Sequence, residues 1–167
     1  MGGCAASAAI SLRLRRQSGG GARPPNLIVR RKGTQIVAPK LSEDPTLTRL
    51  SKICLALPEA VRGFRGDHAD FRVRQKVFAY FLNNHHGDGI VSVCVKSALG
   101  ENVDRAGAQP ERYYLPAYIG PRGWFGMRLD LGAIDWHEVE NIVELSYCLV
   151  APKSLARIVE QRGASGR

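Results

Sequence analysis

The sequence predicts an α+β domain of two layers, a mostly antiparallel sheet with helices packed on one side. Three observations carry that prediction. From Gly66 to Lys96 apolar and polar residues alternate at period two, as in strands with one buried face. On either side the apolar residues recur at helical spacing instead: Leu47, Leu50, Ile53, Cys54 and Leu57 before the strands, Val139, Ile142, Val143 and Leu145 after them. The strands are joined by links of hairpin length, which favours antiparallel pairing over the long crossovers of parallel sheets.

Length and charge set the domain organisation. At 167 residues the chain is most simply one domain, able to bury roughly two-thirds of its unfolded surface. Residues 1–42 hold eight Arg and Lys residues and no acid, so of the net charge of +9 only +1 remains for residues 43–167. With Gly19, Gly20, Gly21 and Pro24-Pro25, this stretch reads as a basic, disordered leader, an organelle presequence and a nucleic-acid-binding arm being the alternatives. A single domain follows over residues 43–163. Its near-neutral balance removes the usual step from a high isoelectric point to nucleic-acid binding and leaves only local patches to argue from.

The elements follow in order. Asp44 caps a helix with Pro45 in its first turn, and Pro58 ends it. Gly63 and Gly66 interrupt a first strand and lead into a three-stranded meander. Its inward residues are Phe71 and Val73, then Val77, Ala79 and Phe81, then Val91, Val93 and Val95. The link at Arg74, Gln75 and Lys76 is a tight hairpin without Gly or Asn, whereas Asn83 to Gly89 is a loop of residues that tolerate positive φ. A short helix approached by a loop is expected within Glu101 to Tyr114, with Pro110 and Glu111 early in the helix and Tyr113 and Tyr114 near its end. Pro116 to Gly132 reads as a Gly/Pro loop feeding a strand from Trp124 to Leu129. Asp135 with Glu138 three residues on caps a further helix, and Pro152 separates it from a last one carrying Leu155, Ile158 and Val159.

Cys4, Cys54, Cys94 and Cys148 show no ligand spacing. The last three sit in apolar segments, where a reduced cysteine behaves as a small hydrophobe, and this points to a cytoplasmic protein. No run is long enough to cross a membrane.

The blocks LPEAVRGFRGDHADFRVRQKVFAYF, YYLPAYIGPRGWFGMRLD, IDWHEV and SYCLVAPK resemble the MmcQ/YjbR family over about residues 47–160. The resemblance implies a YjbR-like fold similar to that of secretion chaperones, and a hairpin arrangement described as a double-wing DNA-binding motif. Gln75 stands where relatives often carry glycine at the tip of the first wing.

Two functional readings compete. The first is a non-enzymatic protein that contacts duplex DNA through the first hairpin without regard to base sequence. Arg72, Arg74 and Lys76 would lie on phosphates, Arg122 with Arg65 and Arg128 would extend the patch, and Trp124 would stack. The same cations also suit a solvated outer face that discourages edge pairing. The second is a small-molecule-binding protein or an enzyme. Here His68, Tyr118 and Trp124 would form a pocket, and Asp67, Asp70 and the loop His85, His86, Asp88 would supply acid/base groups. No catalytic residue, metal site or cofactor is assigned: adjacent histidines splay apart on an extended chain, GPRGWFG fails the spacing of a phosphate loop, and no GxSxG elbow is present. Tyr147 and Lys153 belong to the block that docks the last helices, with Lys153 an exposed contact. Oligomeric state has no signal in the sequence.

Overall fold

The computed structural model describes residues 44–66 and 68–165; the leader at 1–42 and Asp67 lie outside the described residues. Helix α1, Pro45–Leu55, starts as its sequence demands: the Asp44 carboxylate accepts the N–H groups of Thr46 (2.8 Å) and Leu47 (3.2 Å), and Pro45 occupies the first turn. The other carboxylate oxygen accepts from Asn83 at 2.8 Å, tying the helix start to the sheet.

Six strands follow: β1 Ala60–Arg65, β2 His68–Val73, β3 Lys76–Asn83, β4 Val91–Lys96, β5 Tyr113–Tyr114 and β6 Trp124–Arg128. They form one sheet in the order β1-β2-β3-β4-β6-β5, with every neighbouring pair antiparallel. The helices α2 Glu101–Ala108, α3 Trp136–Val150 and α4 Lys153–Ser165 complete the domain. This is the two-layer α+β architecture the sequence predicts. Phe71, Phe81, Val93, Val95, Phe125 and Met127 point into the helix layer, where they meet Leu47, Leu50, Val139, Val143 and Tyr147. Each side chain of this size contributes on the order of 2 kcal/mol by leaving water.

A bulge corrects one inward assignment. The register passes from Phe71↔Ala79 to Arg72↔Val77, leaving Phe78 unopposed. Phe78 and Ala79 are therefore both fully buried, and Val77 is carried to the face of Arg72. Ser146 on α3 closes the bulge by donating to the Phe78 carbonyl and accepting the Lys96 N–H at 2.8 Å, so two backbone groups off the ladder are satisfied by one hydroxyl.

Three other expectations change. The short helix expected with Pro110 in its early part lies instead wholly before that proline, at Glu101–Ala108, because Pro110 disfavours a helical conformation at Gln109, which adopts φ −141°. Tyr113 and Tyr114 become the edge strand β5. Leu145 and Ile158 stand exposed, since the buried stripes run through Val139, Ile142, Val143, Ser146, Tyr147 and Val150 on α3 and through Leu155, Ala156 and Val159 on α4.

Candidate functional site

The sheet face opposite the helices carries the chemistry. Strand register places His68, Asp70 and Arg72 of β2, Tyr80 and Leu82 of β3, Ser92 and Cys94 of β4, and Gly126 of β6 on that face. Much of it is covered. Tyr114 on β5 lies over Gly126, where a built Cβ would come 2.2 Å from the tyrosine ring. The absence of a side chain lets the phenol cross to Ser92 Oγ (2.9 Å) and Cys94 Sγ (3.4 Å). Burial pushes both the Tyr114 hydroxyl and the Cys94 thiol up, the thiol to about 11, so neither serves as a ready nucleophile.

A continuous row of rings runs along this face. His86 lies 4.0 Å from His85, His85 5.5 Å from His68, His68 6.0 Å from Tyr80, and Tyr80 5.3 Å from Trp124. The loop after β3 brings the histidines together: Asn84 (φ 53°) and His86 (φ 57°) adopt left-handed conformations around a short 3₁₀ turn, His85–Gly87. Adjacent histidines expected to splay apart on an extended chain are thus brought into tilted ring contact by a turn that Asn and His tolerate better than most residues. Gly89 N–H donates to Asn84 Oδ1 at 2.8 Å and Ile90 N–H to Asp88 Oδ1 at 2.9 Å, holding the loop from inside.

Over the row, the segment after β5 encloses a cavity of about 410 Å³. Tyr80 and Leu82 form its sheet wall, and Pro116 to Ile119 its cover. His68, His85, His86 and Asp88 line one end. Its surface is mostly apolar, with a few polar groups at that end, the composition of small-molecule sites. Tyr118 on the cover is 85% exposed, while Trp124 is 8% exposed and backs Tyr80 from outside the cavity. His68 and Tyr118 therefore meet at one cavity, and Trp124 supports its wall. Among the described residues no set of three or more His, Cys, Asp or Glu side chains is placed to hold a metal ion.

The hairpin cations are differently placed. Arg72 bonds to Asp70, whose side chain is fully buried, and Arg65, two-thirds exposed, stands 3.3 Å from the same carboxylate. Gly63 on the neighbouring strand makes the room, since a Cβ there would lie 2.6 Å from Asp70 Oδ1. Arg74 grips Glu59 with two hydrogen bonds, and that bond holds the Glu59 carboxyl below its usual range. Arg128 grips Asp130 in the same way, at 3.0 and 2.7 Å, with the same effect on Asp130. Lys76, Arg122 and Lys153 are exposed. Tyr147 is buried and donates to the Pro58 carbonyl at 2.6 Å, pinning α3 to the start of β1. The hairpin turns on Arg74 (φ 46°) and Gln75 (φ 68°), and Lys76 already pairs with Val73 in the ladder.

Sequence reasoning assigned Asp70 to acid/base work, whereas the structure pairs it with Arg72 and Arg65, and it passed over Tyr80. Tyr80 alternates with Ala79 and Phe81, so period two places it on the outer face, and hairpin register then sets it between Asp70 and Cys94.

The YjbR family model matches residues 55–149. The crystal structure of Deinococcus radiodurans protein DR2400, with the family-model domain DUF419, is similar in fold: TM-score 0.54 and 17% identity, covering 68% of this chain and 87% of that one. No curated protein sequence matches the chain.

Proposed function

The chain belongs to the YjbR family, and from that premise we propose that it binds a small molecule in the cavity between the outer sheet face and the segment Pro116–Ile119. The observation that carries this is the convergence of His68, Tyr80, His85 and Tyr118 on one mostly apolar space of ligand size. The reading assigns no nucleophilic role to Cys94, which is buried beneath Tyr114 with its thiol pushed up to about 11. Reduced thiols on β4, α1 and α3 fit a cytoplasmic protein. Among the described residues no helix is long and apolar enough to cross a membrane.

The test uses N-phenyl-1-naphthylamine, a neutral probe that brightens in apolar surroundings. Its fluorescence should rise with the full-length protein and lose most of that rise in Ala117→Trp, where an indole added at an exposed lining position fills the space. A rise that Ala117→Trp leaves unchanged contradicts the reading.

Contact with duplex DNA is a second reading, supported by the exposed Lys76 and Arg122 and by Arg74, whose side chain is 64% exposed at the hairpin tip. Ion pairs at Arg72 and Arg74 leave it fewer open cations than the sequence counts. Arg72→Ala is a poor probe, because it leaves buried Asp70 with Arg65 alone and would destabilise the fold by about 3 kcal/mol. Fluorescence anisotropy with a duplex at two salt concentrations, comparing the full chain with Lys76→Glu/Arg122→Glu, separates the hairpin from the leader. Equal affinity in both proteins argues against the hairpin.

A further inference from the structure

Resting on the pocket reading above, we infer that the cavity takes a planar nitrogen heterocycle of one or two fused rings that presents N–H donors on its edge, as purines and pterins do. Three features of the site select this chemistry.

The first is charge. Among the described residues no lysine or arginine lines the cavity, and Asp88 is the one carboxylate that does. Sites for organic anions usually draw on guanidinium or ammonium groups, which form the strong charge-assisted bonds to carboxylate and phosphate. Here an acidic ligand would meet a carboxylate. An N–H donor on the ligand meets an acceptor instead.

The second is preorganisation. Asp88 Oδ1 is held by the Ile90 N–H inside a loop already braced by Asn84, and Oδ2 carries none of the hydrogen bonds seen among the described residues. A carboxylate fixed through one oxygen offers the other to a ligand at small entropic cost. The His86 imidazole at the same end donates or accepts according to tautomer, so that end reads a mixed donor and acceptor edge.

The third is shape. The sheet wall is the ring row that ends on Tyr80 and is backed by Trp124, and the cover carries Tyr118 with 85% of its surface in water. A flat ring sliding between Tyr118 and the row would stack on aromatic faces and remove that exposed phenol from solvent. A cavity of about 410 Å³ holds a bicyclic ring with a substituent and lies within the usual range for such sites.

Isothermal titration of the full-length protein with guanosine, pterin and 2-naphthoate tests this. Guanosine and pterin should bind, and 2-naphthoate, equally flat but acidic and without an N–H, should bind about tenfold more weakly or worse. Asp88→Asn keeps the acceptor for the Ile90 N–H and should weaken both heterocycles by about tenfold, the scale of one lost hydrogen bond to a charged group, while sparing 2-naphthoate. Tyr118→Ala should weaken all three. If 2-naphthoate binds as tightly as the heterocycles, or Asp88→Asn leaves their affinity unchanged, the heterocycle inference falls and the pocket reading stands. If none of the three binds and N-phenyl-1-naphthylamine also ignores Ala117→Trp, both fall.

Discussion

Gly126 is the residue on which the cavity most depends. Its missing side chain is what allows Tyr114 to cross the sheet and reach Ser92 and Cys94. In Gly126→Ala the new methyl and the phenol cannot share that space, so the ring must leave or the edge strand must shift. Overpacking of this kind costs about 1–3 kcal/mol. The expected outcome is a lower urea midpoint together with faster alkylation of Cys94, which now lies buried beneath Tyr114. Unchanged stability would mean that the ring has an alternative seat. At this scale the sequence was only partly legible. A glycine inside a strand signals a close approach of some other group, but which group arrives depends on a partner twelve residues upstream.

Among the elements, the β2–β3 hairpin holds the clearest backbone tension. Its turn places two residues with side chains, Arg74 and Gln75, in left-handed conformations that glycine adopts freely. The Arg74–Glu59 pair is exposed and so contributes little to offset this. Gln75→Gly should raise stability by about 1 kcal/mol in urea unfolding, with the sheet and cavity unchanged. A loss of stability would show that Gln75 makes a compensating contact.

Elements themselves were well legible where periodicity is long. The period-two stretch from Gly66 to Lys96 and the capped helices α1 and α3 follow from spacing and from Asp44 and Asp135. The bulge at Phe78 was not legible, because nothing local distinguishes it from Val77 or Ala79; register with β2 decides it. The position of α2 was not legible for a different reason: Pro110 suits a helix's first turn as well as the stretch just past its end, and here it lies beyond the end, with Gln109 already extended.

For the whole molecule, the two faces of the sheet divide the core from the candidate site. One face holds the core against α1 and α3. The other gathers three of the four histidines of the chain, along with two tyrosines, under a short covering segment. Residue types alone suggested a pocket near His68 and Tyr118. They could not show that His85 and His86 join it, since that needs the left-handed turn at Asn84 and His86. Nor could they show that Glu59 neutralises Arg74, since that pair forms across 15 residues of chain; the Asp70–Arg72 pair, two residues apart on one face of β2, was within reach of the period-two pattern. The balance of the two functional readings shifted on those contacts.

The central claim is that ligands enter on the histidine face, and the fourth histidine supplies an internal control. His137 lies on α3, exposed and bonded to Asn141 at 3.1 Å. Imidazole ¹H–¹³C spectra recorded while the full-length protein is titrated with pterin give one signal set per histidine. The account predicts saturable shifts at His68, His85 and His86 with His137 unmoved; shifts confined to His137, or none at the other three at saturating probe, would contradict it.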